Sequence, residues 1–304
     1  MKILYDINDT SNHPKAVTIG NFDGVHKGHK VLLEKTKDAA NNNIESLILT
    51  FNQFPREIFK PHDFQRLYSN ENKYNLLKEY ELDILLSIDF NSIKNYSAQR
   101  FCEDILIKKL NTKYLIIGEN FKFGKDRLGN VESLRAYNKD DGFEVITPHL
   151  EIYQNKSISS SRIREYLSQG NLKAASKCLG RDYMISGTVV SGEKLGRELG
   201  DPTANITLEH DYPLNGIYLS KVIIDDEKYF GLASVGNKPT FKGKEKLLEV
   251  FILDFDNNIY GKKIYIHFLE EIRKQVKFDS KDSLIKQMNE DYKYAIINSK
   301  KYGI

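Results

Sequence analysis

The chain has 304 residues, 40% hydrophobic and 29% charged, with a formal net charge of +3. That length carries a prior of about two domains, each able to bury a core, and charge so near balance argues against a general nucleic-acid or membrane-surface binder. The opening MKILYDINDT turns polar too early for a secretory leader. No apolar run approaches the ~18 residues of a spanning helix. Cys102 and Cys178 stand alone in unrelated contexts. They read as helix-core thiols of a reducing cytoplasm, and not as a disulfide framework or zinc ribbon.

From residue 1 to 180, short apolar runs alternate with helical stretches. The strand candidates are Ala16–Phe22, Ser46–Phe51, Ile84–Phe90, Tyr114–Gly118 and Phe143–Thr147. Between them, KGHKVLLEKTKDAANN, NENKYNLLKEYE and SAQRFCEDILIKKL read as helices, the last with Ser97 as N-cap and Phe101, Ile105 and Leu110 on one face. Nearly continuous apolar strands alternating with helices predict a parallel sheet covered on both faces, an α/β, doubly wound, Rossmann-like domain. Such sheets bind ligands beyond the carboxyl ends of their strands, and GNFDGVHKGH, Gly20 to His29, lies at one of those ends.

In that stretch, Gly20 and Gly24 let the backbone turn tightly, and the following helix presents unpaired N–H groups and its positive dipole end, which suit phosphate. His26 and His29, three apart, share a face of the first turn, and Gly28 keeps bulk away from the space between them. A His-x-x-His pair can also supply two zinc ligands, but zinc needs at least a third, and no Cys-x-x-Cys or His-Glu-x-x-His accompanies it. Two later stretches look phosphate-directed. GENFKFGKDRLG, Gly118 to Gly129, runs from a strand end into a glycine-rich basic loop, unless it is a plain surface loop. ISSSRIR, Ile158 to Arg164, opens a helix with three serines and places Arg162 and Arg164 near its start. Serine N-caps and surface arginines are common, so this motif alone is weak.

After Cys178-Leu179-Gly180 the pattern changes. Tyr183–Ser191, Gly216–Asp225, Lys228–Gly236, Leu247–Phe255 and Lys262–Phe268 read as strands with almost no helix between them, separated by turns such as Asp225-Asp226. They predict a small antiparallel β-barrel. A terminal helix follows from Ser280 to Lys300, with Leu284, Met288, Tyr292 and Ile296 at four-residue spacing. The domain boundary falls near 181, giving 1–180 and 181–304.

SGEKLGRELGDPTAN, Ser191 to Asn205, spaces Gly192, Gly196 and Gly200 four apart, but each glycine costs a helix about 1 kcal/mol and Pro202 would end it, so a loop is expected. With Lys194 and Arg197 such a loop can wrap a polyphosphate, and no P-loop of the GxxxxGK[ST] type occurs. Thr203 and Asn205 alternate toward one side of the chain, and their oxygens suit Mg²⁺ shared with phosphates, or else form a local turn. Glu249 sits in a mostly apolar strand, where an unpaired carboxylate is expensive.

GNFDGVHKGH, GENFKFG and ISSSRIR, in that order and spacing, are similar to the adenylyltransferase module of bacterial bifunctional riboflavin kinase/FAD synthetases. SGEKLGRELGDPTAN resembles the GRxLGxPTAN motif of riboflavin kinases, and LLEVFILDFD with YGKKIYIHFLEEIRKQVKFDS is similar to its later strands. The resemblance implies that ATP phosphates lie against Gly20, Phe22, Asp23, Gly24, His26 and His29. Asn120 would contact nucleotide or flavin phosphate, and Ser159, Ser160 and Arg164 pyrophosphate. It implies that Gly192, Lys194, Gly196, Arg197, Gly200, Thr203, Asn205 and Arg273 bind ATP or flavin in the kinase, with Thr203 and Asn205 on Mg²⁺ and Glu249 as base. The region of Arg273, Lys277 and Phe278 resembles the family's flavin-covering loop. The chain departs from the family pattern at Asn52-Gln53-Phe54, where an acid-Pro-His sequence is common, and at Asp201, commonly aromatic.

The implied chemistry is phosphorylation of riboflavin by ATP to FMN, then adenylyl transfer from ATP to FMN giving FAD and pyrophosphate. The partners are small molecules in the cytoplasm, without nucleic acid or membrane, and a weak homo-oligomer is compatible with the sequence. The alternatives are a riboflavin kinase with a weakened adenylyltransferase domain, an adenylyl- or cytidylyltransferase with an unrelated acceptor, and a non-catalytic flavin-binding regulator.

Overall fold

Runs of Val, Ile and Leu that are apolar at every position can be strands only where both faces are covered. The computed structural model, which describes residues 1–60, 64–137, 142–190, 203–240 and 243–303, has two units. One comprises Met1–Phe64 and Asn70–Ser159, the other Gln65–Ser69 and Ser160–Ile304.

The first unit is built on six parallel strands, β1 (Lys2–Leu4), β2 (Lys15–Ile19), β3 (Glu45–Phe51), β4 (Ile84–Ile88), β5 (Thr112–Ile116) and β6 (Glu144–Ile146), in the order β1-β4-β3-β2-β5-β6. The pleat sends Val17, Ile19, Leu47, Leu49, Leu86 and Leu115 into one core and Ile48 and Leu85 into another, with Ala16 and Ile116 packing beside Leu32. Helix α1 (Lys27–Ala39) buries Leu32, Leu33 and Thr36 against this sheet. Next come α2 (Pro55–Phe59), α3 (Asn70–Lys78) and α4 (Ala98–Arg100), and α4 runs on as a π-helix over Phe101–Lys109. Ser97 caps α4 by accepting from the Arg100 N–H at 3.1 Å. Phe101, Ile105 and Leu110, four and five apart, are all buried, a spacing that the wider i→i−5 turn stacks on one side. Burial pushes the Cys102 thiol up to about 12, so it is a packing group and not a nucleophile. Helix α5 (Val131–Arg135) and a hairpin of β7 (Ile152–Tyr153) and β8 (Lys156–Ser157) complete the unit.

In the second unit, α6 (Ser160–Ser168) and α7 (Leu172–Leu179) precede a closed antiparallel barrel. Its strands are β9 (Tyr183–Val190), β10 (Ala204–Ile206), β11 (Gly216–Ile224), β12 (Glu227–Thr240), β13 (Gly243–Ile252) and β14 (Lys263–Arg273), ordered β10-β13-β12-β11-β14-β9. Helix α7 packs on β9 and β14 with Ala175 and Cys178 buried. Both helices before residue 180 therefore group with the barrel by contact, although the sequence pattern changes only after them. Aromatic residues fill the core: Tyr183, Tyr218 and Phe268 lie ring to ring, with Tyr68 stacked on Tyr183.

Helix α8 (Lys281–Ser299) starts at Ser280 as N-cap and lays Tyr292 and Ala295 against Leu219, Phe251 and Leu253. Of the expected face, Leu284, Met288 and Tyr292 are half-buried but Ile296 is exposed. Four-residue steps overshoot a turn of 3.6 residues, and after three steps the side chain has rotated off the barrel, leaving Ala295 and Asn298 to continue the contact. Among the described residues, no helix is long and apolar enough to cross a membrane.

Candidate functional site

The chain leaves β2 through α1 toward β3 on one side, while β5 joins β2 on the other. The carboxyl ends of β2 and β5 therefore flank the topological switch point, where open α/β sheets take their ligands. GNFDGVHKGH follows β2, and GENFKFG follows β5. The order of strands thus brings two of the expected motifs to one edge of one sheet.

The first of these turns is tight. Phe22 has φ 50°, Gly24 φ 89° and Val25 φ 39°. A positive φ is rare for a β-branched residue and costs on the order of 1–3 kcal/mol. Phe22 and Val25 are buried with Leu33, Ile48 and Leu85, and that packing holds the turn in place. It delivers His26 as the N-cap of α1, its Nδ1 accepting from the His29 N–H at 3.2 Å. An accepting Nδ1 puts the proton of the neutral ring on Nε2. The two imidazoles stack with centroids 3.6 Å apart and 14° between planes, and Phe22 packs on His29 at 5.1 Å. A Cβ on Gly28 would stand 3.2 Å from the His26 ring and 3.4 Å from the Ile158 carbonyl. The absence of a side chain there lets both the histidine pair and the start of ISSSRIR close on the helix. Asp23 is buried in the same turn.

Asn120 is exposed at the end of β5. The loop after it is fastened: Phe123 and Gly129 exchange backbone hydrogen bonds at 3.2 and 2.9 Å, and Phe121, Phe123 and Phe101 pack ring on ring. Ser159 ends the first unit. Ser160 and Arg164 follow it in the chain as part of α6 in the second, where Arg164 Nε donates to the Gln65 carbonyl at 2.5 Å. After β3, Asn52 and Gln53 are exposed and Phe54 is buried. Beside Phe54 sits a buried cation that sequence reasoning missed. Lys73 Nζ donates to the Phe51 carbonyl at 2.9 Å and lies 4.6 Å from the Phe54 ring centroid. Its neighbour Thr50 donates to the Asn21 carbonyl of the first turn at 3.2 Å. Nothing in NENKYNLL distinguishes this lysine from an ordinary helix-surface one.

In the barrel, antiparallel register sets Asn205 opposite Glu249, and Glu249 opposite Ser234. Residues paired in this way project to the same face, with Cβ atoms about 5 Å apart. Their neighbours Ala204, Ile206, Leu248, Val250, Ala233 and Val235 are buried, so Asn205, Glu249 and Ser234 face outward, half-buried. Thr203 shares the exposure of Asn205, the alternation that its spacing predicts. The row continues through Ile217 to Arg273. Arg273 grips Asp291 of α8, Nε donating to both carboxylate oxygens at 3.0 Å and Nη2 to Oδ2 at 2.7 Å, and its guanidinium lies 5.8 Å from the Phe278 ring. Gln275, also missed in the sequence, donates to Ser234 Oγ at 3.0 Å and ties the segment after β14 to that row. Gly192, Lys194, Gly196, Arg197, Gly200 and Asp201 lie outside the described residues. Among the described residues no group of three or more His, Cys, Asp or Glu is placed to hold a metal ion.

Residues 8–162 match the family model for FAD synthetase and residues 179–297 the model for riboflavin kinase. A curated protein of Buchnera aphidicola subsp. Schizaphis graminum, a bifunctional riboflavin kinase/FMN adenylyltransferase, is 39% identical over 96% of both chains. The chain belongs to the bifunctional riboflavin kinase/FMN adenylyltransferase family. Members so described from Haemophilus influenzae and Escherichia coli are 38% and 34% identical, over 92% and 96% of each chain. A crystal structure from Streptococcus pneumoniae, titled as a macrolide-efflux protein, superimposes with a TM-score of 0.81 at 33% identity, covering 97% of this chain and 98% of that one. The FAD synthetase match of this family member lies on the parallel sheet and ends inside α6, and the riboflavin kinase match begins at the end of α7 and spans the barrel.

Proposed function

We propose that this chain makes both flavin cofactors: its barrel phosphorylates riboflavin with ATP to give FMN and ADP, and its parallel-sheet domain transfers AMP from a second ATP to FMN, giving FAD and pyrophosphate. In this reading 1–180 is the adenylyltransferase and 181–304 the kinase, and the protein works in the cytoplasm on small molecules. The observation that carries it is that each family match falls on a separate architecture, the FAD synthetase match on the parallel sheet and the riboflavin kinase match on the barrel.

The two reactions ask for different groups. A hydroxyl must lose a proton as it attacks the γ-phosphate, so the kinase uses a base, and Glu249 fills that role. Glu249 orients or deprotonates the terminal ribityl hydroxyl, whose oxygen bonds to phosphorus as ADP leaves. Asn205 sits opposite Glu249, and Thr203 lies two residues before Asn205 with the same exposure, hard oxygen donors that fit Mg²⁺. Bound there, the ion would neutralise charge on the ATP phosphates. Gly192, Lys194, Gly196, Arg197 and Gly200 are assigned to binding those phosphates, and Arg273, held by Asp291, supports the segment assigned to cover the flavin.

The FMN phosphate is already an anionic nucleophile, and the second site needs positioning and charge stabilisation more than a base. Gly20, Phe22, Asp23 and Gly24 shape the turn, His26 and His29 steady ATP phosphates at the start of α1, Asn120 contacts nucleotide or flavin phosphate, and Ser159, Ser160 and Arg164 take the departing pyrophosphate. A second reading, a kinase that stops at FMN, is motivated by Asn52-Gln53-Phe54. The test is a time course with riboflavin, ATP and Mg²⁺, separating riboflavin, FMN and FAD. FMN should rise and then give way to FAD, whereas FMN that only accumulates favours the second reading.

A further inference from the structure

Arg164 is connected to the barrel by a continuous polar chain within the second unit. Its Nε donates to the Gln65 backbone carbonyl at 2.5 Å. Gln65 and its neighbour are fastened in turn to the loop before β11: Gln65 Nε2 donates to Asp211 Oδ2 at 2.8 Å and to the Tyr212 carbonyl at 3.3 Å, and the Arg66 N–H donates to the Asp211 carbonyl at 3.0 Å. That loop is held from β13 by Lys246. Its ammonium pairs with Asp211 Oδ1 at 2.9 Å and donates to the Tyr212 carbonyl, and its side chain is only 9% exposed.

A guanidinium is a planar, rigid fork, so bonding Nε in one direction fixes where its remaining donors point. We infer that Gln65, Asp211 and Lys246 form a positioning junction for adenylyl transfer, by which the barrel sets the orientation of Arg164. Two of the three lie within the riboflavin kinase match, 179–297, yet the reaction they serve is the one that makes FAD. The inference rests on the assignment of Arg164 to pyrophosphate made above. Lys246 stands three residues before Glu249 on the same strand, which gives the idea a sharp competitor: the junction could instead brace the kinase base.

Both reactions can be measured on the same preparations of the full chain, FAD from supplied FMN and ATP, and FMN from riboflavin and ATP. Asp211→Ala and Lys246→Met should each lower kcat/KM for FMN adenylylation about five- to ten-fold, the net range of one ordinary hydrogen bond. Riboflavin phosphorylation should stay within about two-fold, and it serves as the control for an intact barrel. In an Arg164→Ala background, which by itself lowers adenylylation, neither substitution should lower it further. Equal losses in both reactions, a loss confined to the kinase, or additive losses on top of Arg164→Ala would overturn the junction. If Arg164→Ala is damaging while Asp211→Ala and Lys246→Met are silent, the junction fails and the assignment of Arg164 stands. A silent Arg164→Ala overturns both.

Discussion

Gly28 shows how little chemistry a decisive residue can carry. It lies in the first turn of α1, where alanine would ordinarily favour the helix by about 1 kcal/mol. Here a methyl would press on the His26 ring at 3.2 Å and on the Ile158 carbonyl at 3.4 Å. Gly28→Ala should therefore push His26 off His29, lowering FAD formation from FMN about ten-fold or more while leaving riboflavin phosphorylation within about two-fold. Assays of the two reactions on one preparation check this. The histidine pair and its glycine were legible from spacing alone, because three residues along a helix return a side chain to the same face. Lys73 was not. Its burial beside Phe54 depends on how α3 meets β3, which no local pattern in the chain encodes.

The elements carry a similar division. Two-sided burial wrote β2, β3 and β4 into the sequence as apolar runs, and the Asp225-Asp226 turn marked the β11–β12 hairpin, where both residues take the left-handed conformation that such turns need. Two short strands, β1 and β10, left no such signature: three residues give too little alternation to read. The second omission matters, because the pairing of β10 with β13 is what sets Asn205 opposite Glu249. The sequence named both residues but could not place them side by side. Helix α8 was found, but its contacts were misjudged at Ile296, and Asp291 gave no signal in the sequence. Asp291 is almost fully buried against Arg273. Removing one partner of a buried, bidentate pair strands the other charge, so Asp291→Ala should destabilise the barrel by about 3 kcal/mol. It should also raise the KM for riboflavin, since Arg273 would lose its anchor. Urea unfolding and kinase kinetics read the two effects separately, and unchanged values of both would show that the pair supports neither fold nor site.

At the scale of the whole molecule, the sequence motifs and the two family matches describe two consecutive reactions, whereas the contacts group α6 and Gln65–Ser69 with the barrel. A helix assigned to the FAD-forming reaction is thus packed in the unit that carries the kinase residues. This grouping was not legible in the chain, since the change of pattern after Gly180 reports the type of secondary structure and not which surface a helix finally covers. It also explains why the two activities are best tested by substitution in the intact protein rather than by cutting at the boundary in sequence.

The central claim is that one chain performs both steps at separable sites, and paired single substitutions followed by product separation test it most directly. With riboflavin, ATP and Mg²⁺ supplied, Glu249→Gln should form almost no FMN yet convert added FMN to FAD at the parental rate, and His29→Ala should accumulate FMN with little FAD. Loss of both activities in either variant, or FAD formation from FMN that is unchanged in His29→Ala, would contradict it.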